Sequence, residues 1–281
     1  LEHLRFGREY LIPKPFDHRV LLNVAPAVAQ AAMDSGVARA PIADMEAYRR
    51  RLEHLVSRRL ELMRVLIDRA KRAPKRIVFP EGDNPKILRA AKILVEEGIA
   101  HPILLAQRER VRPKLAELGL DEDRVTIVEI ETSDRLADYQ RRLHEKRRRD
   151  GVTEEEAGKL VRQSNYFGTL MVASGDADGL ISGLTYEYPD TIRPALQIIG
   201  TQPGFKRVAG AYMLVLKDRT FLLADTTVNI DPTAPELAEI AILSADTASL
   251  FDVKPRVAMI SFSNFGNTRH PLAAKVRQAV E

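Results

Sequence analysis

The chain has 281 residues, of which 45% are hydrophobic and 29% are charged, and its net charge is +4 at pH 7. The length allows two domains, and the composition is typical of a soluble globular protein. The absence of cysteine excludes a disulfide scaffold, a thiolate nucleophile and a zinc–thiolate site. Acidic residues lie among the basic ones, and no apolar run is long enough to cross a bilayer. We therefore expect a cytoplasmic protein with no nucleic-acid partner, no membrane partner and no metal site.

The amino-terminal part of the chain is predicted to contain two helices. Two prolines make residues 10–19 an extended segment, and an alanine-rich helix follows at 24–36, where Gly36 ends it. Residues 44–72 are predicted to form one long basic helix with Asp44 as its N-cap. The arginines of this helix indicate a solvated face or, alternatively, a helix that packs between domains or subunits.

Strands alternate with helices in the next part of the chain. The predicted strands and helices are, in order, strand 76–80, helix 86–97, strand 102–106, helix 110–118, strand 125–130, helix 134–149 and a helix that opens with a capping-box pattern at 153–156. Such alternation favours an α/β fold with a mainly parallel sheet covered by helices on both faces.

Residues 166–199 are predicted to form a helix, a tight turn, a short buried strand at 179–183, a loop and another helix. Asp190 or Thr191 is expected to cap this last helix, which would place Arg193 in its first turn beside unpaired backbone N–H groups. A strand end, a helix N-terminus and an arginine together favour an anion site. The alternative is a surface arginine paired with an acid.

The pattern changes after Gly204. We predict a hairpin from strands at 207–216 and 220–224, and then a polar loop at 225–232, a helix at 235–251, a strand at 256–262 and a helix from 271 onward. The loops at 225–232 and 261–268 are rich in hydroxyl and amide groups, which are typical of ligand-binding loops and equally of ordinary turns. The chain has no P-loop, no dinucleotide-binding glycine fingerprint and no nucleophile elbow.

From Arg76 to Glu281 the chain resembles the phosphate acetyl/butyryl transferase family. The matching segments are Tyr166–Val172, Ala177–Gly183, Asp190–Ile199, Leu237–Ile242 and Pro255–Ser263. The resemblance implies a two-domain phosphotransacetylase-like fold with a ligand cleft between the domains, preceded here by the long linker helix. It also implies an enzyme family that transfers an acetyl group between CoA and phosphate.

The resemblance singles out two arginines. Arg193 and Arg147 match family arginines linked to substrate binding. Without the family resemblance, Arg147 would be interpreted as a cation that interacts favourably with the dipole at a helix C-terminus. The residues expected to bind acyl-CoA or phosphate are Arg147, Ser182, Asp190, Thr191, Arg193, Ser263 and Asn264.

Residues 1–43 resemble the carboxyl-terminal end of the catalytic domain of bacterial malic enzymes, through the segment Ile12–Asp17 and the alanine-rich helix. The whole therefore resembles the hybrid NADP-dependent malic enzymes of bacteria. This resemblance implies a malic enzyme domain of the same polypeptide, with NADP and Mg or Mn as its cofactors. It also implies that the protein is a homo-oligomer and that acetyl-CoA is its effector. The predicted division is 1–43 malic enzyme end, 44–74 linker helix, 75–207 first α/β subdomain and 208–281 second, incomplete subdomain.

Three departures from the family argue against catalysis. Tyr186, Glu187 and Tyr188 occupy a loop that is small and rich in hydroxyl groups in true transacetylases, and Glu187 adds negative charge where a phosphate needs positive charge. Phe265 stands where the family has a lysine, and the family's final serine–arginine motif has no counterpart before Glu281. We therefore expect no catalytic residue in this chain and a regulatory acetyl-CoA-sensing role. The alternatives are an active phosphate acetyltransferase and a purely structural oligomerisation domain.

Overall fold

The computed structural model describes residues 20–216, 219–251, 253–264 and 267–281, with the backbone alone for 53–65. The predicted extended segment at 10–19 and Phe265 lie outside these residues. The chain divides into two compact units, residues 67–208 and residues 1–66 together with 209–281. The division into domains made from the sequence stays a prediction.

The two helices expected near the amino terminus are present. A π-helical turn, Val20–Val24, leads into α1, Ala25–Asp34, after which Gly36 adopts a φ of 72°. Helix α2 spans Met45–Arg72, and the Ala47 N–H donates to Asp44 Oδ1 at 2.9 Å. Both helices and the N-cap role of Asp44 are therefore confirmed.

A four-stranded parallel sheet with the order β3-β2-β1-β4 forms the centre of the 67–208 unit. Its strands are β1 Lys75–Phe79, β2 Ala100–Leu105, β3 Thr126–Val128 and β4 Gly179–Leu180. Its helices are α3 Pro85–Glu96, α4 Arg108–Glu117, α5 Leu136–Arg147, α6 Glu154–Leu160, α7 Ser164–Ala173 and α8 Tyr188–Ile198. Short 3₁₀ turns lie at Glu122–Arg124, Ile130–Thr132 and Arg148–Asp150.

Both faces of this sheet are buried under helices. Val78 of β1 packs with Tyr139, Phe167 and Ile198 in one hydrophobic cluster, which contains residues of α5 to α8. Neighbouring β-strand side chains point to opposite faces, so Phe79 belongs to a second cluster with residues of α3 and α4. The predicted α/β fold with a parallel sheet between helix layers is confirmed.

Strand β4 differs from its prediction as a buried strand at 179–183. Only Gly179 and Leu180 pair with β1, and both are half-buried, while Ile181 is already 56% exposed. Among the described residues β4 pairs with β1 alone and forms an edge of the sheet. The chain then turns at Gly183, whose φ of 107° favours glycine.

The other unit contains the predicted hairpin. Strands β5, Ala211–Val215, and β6, Thr220–Ala224, are antiparallel, and helices α9, Ala234–Leu250, and α10, Pro271–Val280, follow. The strand predicted at 256–262 is wrong, because the structure gives those residues no strand pairing. Val257 and Ile260 in that segment are 56% and 84% exposed, so an apolar run alone did not decide its conformation.

Candidate functional site

The candidate site lies at the carboxyl ends of β1 and β4. These neighbouring strands are parallel, but the loop after β1 leads to α3 and the loop after β4 leads to α8. Since α3 and α8 contribute to the clusters on opposite faces of the sheet, the two loops separate here. Open α/β sheets bind ligands at such switch points.

Asn165 joins the first turn of α7 to both neighbouring segments of the site. Its buried side chain accepts a hydrogen bond from Ser182 Oγ at 2.7 Å and donates one to the Asp190 carbonyl at 3.1 Å. That carbonyl needs an outside donor because Pro194, four residues later, has no N–H. Ser182, predicted as a ligand residue, is thus first a structural donor to Asn165.

We expect Asn165→Ala to lower the free energy of unfolding by about 1–3 kcal/mol, because it leaves the Asp190 carbonyl without its donor. Thermal or urea unfolding, followed by circular dichroism, measures the loss. Ser164→Ala, one residue earlier and only half-buried, is the matched control and should cost much less. Equal losses in the two variants would contradict this role of Asn165.

Helix α8 begins earlier than the sequence indicated. It starts at Tyr188, with Glu187 at the N-cap position, so Asp190 and Thr191 lie inside its first turn and do not cap it. Pro189 explains the difference, since proline favours the first turn of a helix. Arg193 is consequently in the second turn, and the prediction that it lies beside unpaired first-turn N–H groups is wrong.

Arg193 lines a pocket of about 450 Å³, here called the Arg193 pocket. Its lining includes Asn165, Tyr166, Tyr186, Asp190, Arg193 and Pro194. The Arg193 guanidinium lies 3.7 Å from the Asp190 carboxylate, and both side chains are more than half exposed. An exposed pair of this kind contributes little to stability, so an anion can compete with Asp190 for the arginine.

Arg147, at the end of α5, carries a buried Nε that has no hydrogen-bond partner among the described residues. Its Nη1 lies 3.2 Å from Asp150 Oδ2. A buried donor without an acceptor is costly, so this atom is a fitting contact for an anion. The loop predicted to determine specificity leads into α8. Glu187 directly precedes α8, and Tyr188 is 45% exposed in the first turn of that helix.

Tyr166 is a buried residue of α7 that lines the Arg193 pocket. Its side chain is 6% exposed and its hydroxyl donates to Gln197 Oε1 at 2.6 Å. Burial raises the pKa of the Tyr166 hydroxyl, and the positive charges of Arg193 and Arg147 both oppose this shift. Both arginines therefore contribute positive potential at the Tyr166 hydroxyl, but only Arg193 lines the Arg193 pocket. Their part in binding one ligand stays a prediction.

Glu81, which the sequence analysis missed, lies in the turn after β1 and is 7% exposed. Its carboxylate accepts hydrogen bonds from the Leu184 N–H at 3.1 Å, from the Thr185 hydroxyl at 2.6 Å and from the Thr185 N–H. Burial alone would raise the pKa of Glu81, but these donors together lower it. The only signal in the sequence was an acidic residue directly after an apolar strand.

Ser263 and Asn264 belong to the other unit and form a turn. Ser263 Oγ lies 3.3 Å from Asn267 Oδ1 and accepts from the Thr268 N–H at 3.1 Å, while the Asn264 carbonyl accepts from the Asn267 N–H at 3.2 Å. This is the hydrogen bonding of an ordinary polar turn. Their part in ligand binding stays a prediction.

The polar loop after β6 is organised by Asp225. Its carboxylate accepts backbone N–H bonds from Gly210, Thr227, Val228 and Asn229 at 2.7–3.1 Å. Burial alone would raise the pKa of Asp225, but the loop donors outweigh it and lower the pKa to about 2. The carboxylate is thus committed to holding its own loop.

A pH-dependent stability difference should therefore separate the wild type from Asp225→Asn. The pKa of Asp225 is lower in the folded than in the unfolded chain, so its stabilisation is complete above about pH 5 and is lost as the pH falls towards about 2. Urea unfolding across this range measures the gap between the two proteins. A gap that stayed constant down to pH 2 would contradict the role of the ionised carboxylate.

Among the described residues, no group of three or more histidine, aspartate or glutamate side chains is placed to hold a metal ion. No described helix is both long and apolar enough to cross a membrane.

Comparisons with known proteins support the resemblances. The family model "Phosphate acetyl/butaryl transferase" matches residues 61–281. The chain is 38% identical over its whole length to an NADP-dependent malic enzyme of Escherichia coli, of which it covers 37%, and 44% identical over 76% of its length to a phosphate acetyltransferase of Nitratidesulfovibrio vulgaris, of which it covers 30%. A phosphotransacetylase structure from Streptococcus pyogenes matches with a TM-score of 0.74 and 41% identity over 78% of this chain and 67% of that one. Both resemblances seen in the sequence are confirmed.

Proposed function

We propose that this chain, which belongs to the phosphate acetyl/butyryl transferase family, binds acetyl-CoA or a related acyl-CoA and regulates a malic enzyme domain of the same polypeptide. The observation that carries the proposal is the pocket lined by Arg193, whose guanidinium is only loosely paired with the Asp190 carboxylate. Arginine is well suited to phosphate groups because its planar guanidinium can donate two parallel hydrogen bonds. CoA presents a pyrophosphate and a further phosphate to such donors.

The surroundings of both arginines fit an anionic ligand. The buried Nε of Arg147 has no acceptor among the described residues, and a phosphate oxygen would satisfy it. The Arg193 pair with Asp190 is exposed and long, so its replacement by a phosphate costs little.

The loop at 184–188 favours sensing over transfer of the acetyl group. Tyr186 takes up space in the Arg193 pocket, and Glu187 adds a negative charge next to it in sequence. A second phosphate would have to enter beside CoA for phosphorolysis, and a negative charge on this loop does not favour its entry. Recognition of acyl-CoA alone needs no such second anion and no base to activate the thiol.

The regulated reaction in this proposal is oxidative decarboxylation of malate to pyruvate and CO₂. The proposal rests on the malic enzymes that match this chain over its full length, although it covers only 37% of the one from Escherichia coli. NADP and Mg or Mn would belong to that further domain. Acetyl-CoA would shift its activity by binding two conformational states with different affinity.

Calorimetric titration of acetyl-CoA into the intact protein tests the binding step. The proposal predicts saturable binding that free acetate at the same concentration does not reproduce. If no heat of binding appears at millimolar acetyl-CoA, the proposal fails.

An active phosphate acetyltransferase is the second candidate, because the phosphate acetyltransferase of Nitratidesulfovibrio vulgaris is 44% identical to this chain over 76% of the chain's length. Release of CoA from acetyl-CoA, followed with a thiol reagent, separates the two functions. A rate that rises with phosphate concentration would favour transfer, whereas a rate equal to that without protein favours sensing.

A further inference from the structure

We infer that Glu81 is a positioning residue that latches the loop after β4 and thereby fixes Tyr186 as part of the wall between two pockets. The inference rests on the proposed function only where it concerns acetyl-CoA. The hydrogen bonds themselves concern the fold alone.

The latch is made of one buried carboxylate and several donors. Both oxygens of Glu81 are used, since Oε2 accepts from the Leu184 N–H and Oε1 accepts from the Thr185 hydroxyl and N–H. Hydrogen bonds to an ionised acceptor are about twice as strong as neutral ones. The carboxylate is 7% exposed, so breaking these bonds would leave a buried charge without donors.

The latch lies at the switch point of the parallel sheet, where the loops after β1 and β4 separate. Glu81 follows β1, and Leu184 and Thr185 lie on the loop that follows β4, so the carboxylate ties together the two loops that separate at the switch point. The turn that carries Glu81 is itself fixed. At Gly82 an added Cβ would lie 2.8 Å from the Leu105 nitrogen, so the turn packs directly on the end of β2.

Tyr186, the residue after the latch, lines a pocket on each side. One is the Arg193 pocket, and the other is a pocket of about 640 Å³ at the carboxyl ends of β1 and β2, whose lining includes Glu81, Arg110 and Lys114. Tyr186 is 37% exposed and borders both. Arg162 and Ser164 line both pockets as well, so Tyr186 is one part of the wall that separates them.

Two consequences follow for a ligand of the Arg193 pocket. A latched loop is already ordered before the ligand arrives, which reduces the entropy cost of binding. A fixed Tyr186 wall also limits the size of the group that fits beside Arg193. Loss of the latch should therefore weaken acetyl-CoA binding without removing a single ligand contact.

The chain contains no tryptophan, so a Tyr186→Trp protein carries one fluorescent reporter on the loop. Acrylamide quenching of this reporter is measured with Glu81 intact, with Glu81→Gln and with Thr185→Val. The glutamine keeps the size of the side chain but turns an NH₂ group towards the loop donors, while valine removes only the hydroxyl donor. A Tyr212→Trp protein, whose reporter lies in the other unit, is the matched control for general loosening.

We expect Glu81→Gln to raise the quenching constant of the reporter at 186 about twofold or more, Thr185→Val to raise it less, and neither to change the reporter at 212. Without the reporter, Glu81→Gln should weaken acetyl-CoA binding about three- to tenfold. Far-ultraviolet circular dichroism shows which variants are folded, and Thr185→Val decides the question if Glu81→Gln does not fold.

Unchanged quenching at position 186 in a folded variant would overturn the latch. Raised quenching together with unchanged acetyl-CoA affinity would overturn its role in positioning the ligand wall. Raised quenching in a protein that binds no acetyl-CoA even with Glu81 intact would support the latch, and only the proposed function would then fail.

Discussion

Phe167→Ala should lower the free energy of unfolding of the 67–208 unit by about 3–5 kcal/mol, the ordinary cost of truncating a buried aromatic ring. Phe167 is 1% exposed in α7, and its ring meets that of Tyr139 edge-on with the centroids 5.0 Å apart. The removed atoms lie between α5, α7 and Val78 of the sheet. The surrounding helices can only partly relax into the space that the ring leaves.

Urea unfolding followed by circular dichroism measures this loss. Phe262→Ala is the control, because its side chain is 64% exposed, although its ring contacts His270. We expect that variant to lose less than about 1 kcal/mol. A similar loss in both variants would show that Phe167 does not occupy the core in which the structure places it.

The second large effect concerns the arginines. Arg147→Ala and Arg193→Ala should each weaken acetyl-CoA binding about 10- to 100-fold, because each removes charge-assisted hydrogen bonds to phosphate. Arg147 should show the larger loss, since its side chain is 25% exposed whereas that of Arg193 is 57% exposed. The titration used for the wild type measures both.

Arg149→Ala is the matched control for these variants, since Arg149 is an exposed arginine two residues beyond Arg147. It should bind acetyl-CoA within about twofold of the wild type. Both arginines bind the same ligand in our proposal, so the losses in the double variant need not add. If Arg149→Ala weakened binding as much as Arg147→Ala, general charge attraction rather than the pocket would explain the affinity.

The order of helices and strands in the 67–208 unit was predictable because local periodicity and tertiary burial agree there. The last residues of β1 and β2, 77–79 and 102–105, are mostly buried and form short apolar runs in the sequence. The run at 256–262 is similarly apolar, but a β-strand also needs a partner strand to pair with. The local sequence does not show whether such a partner is present. The start of α8 was predictable in principle, since Pro189 marks a first turn more strongly than Asp190 marks a cap.

The site was only partly predictable, and the reason is again non-local contact. Arg147 and Arg193 were found through family motifs, and their surroundings depend on the packing of α5, α7 and α8. Glu81 and Asn165 carry no motif of their own. Each is recognised only when its burial and its partners on distant segments are known, over 100 residues away in the case of Glu81.

The most direct test of acetyl-CoA sensing is the rate of NADP-dependent malate oxidation by the intact protein as a function of acetyl-CoA, in the wild type and in Arg193→Ala. We expect a saturable change in the wild-type rate. The concentration for half of that change should rise in the variant by the same factor as its binding constant, because linkage makes the two equal. A wild-type rate that ignores acetyl-CoA, or a half-effect concentration that stays the same in Arg193→Ala, would contradict this expectation.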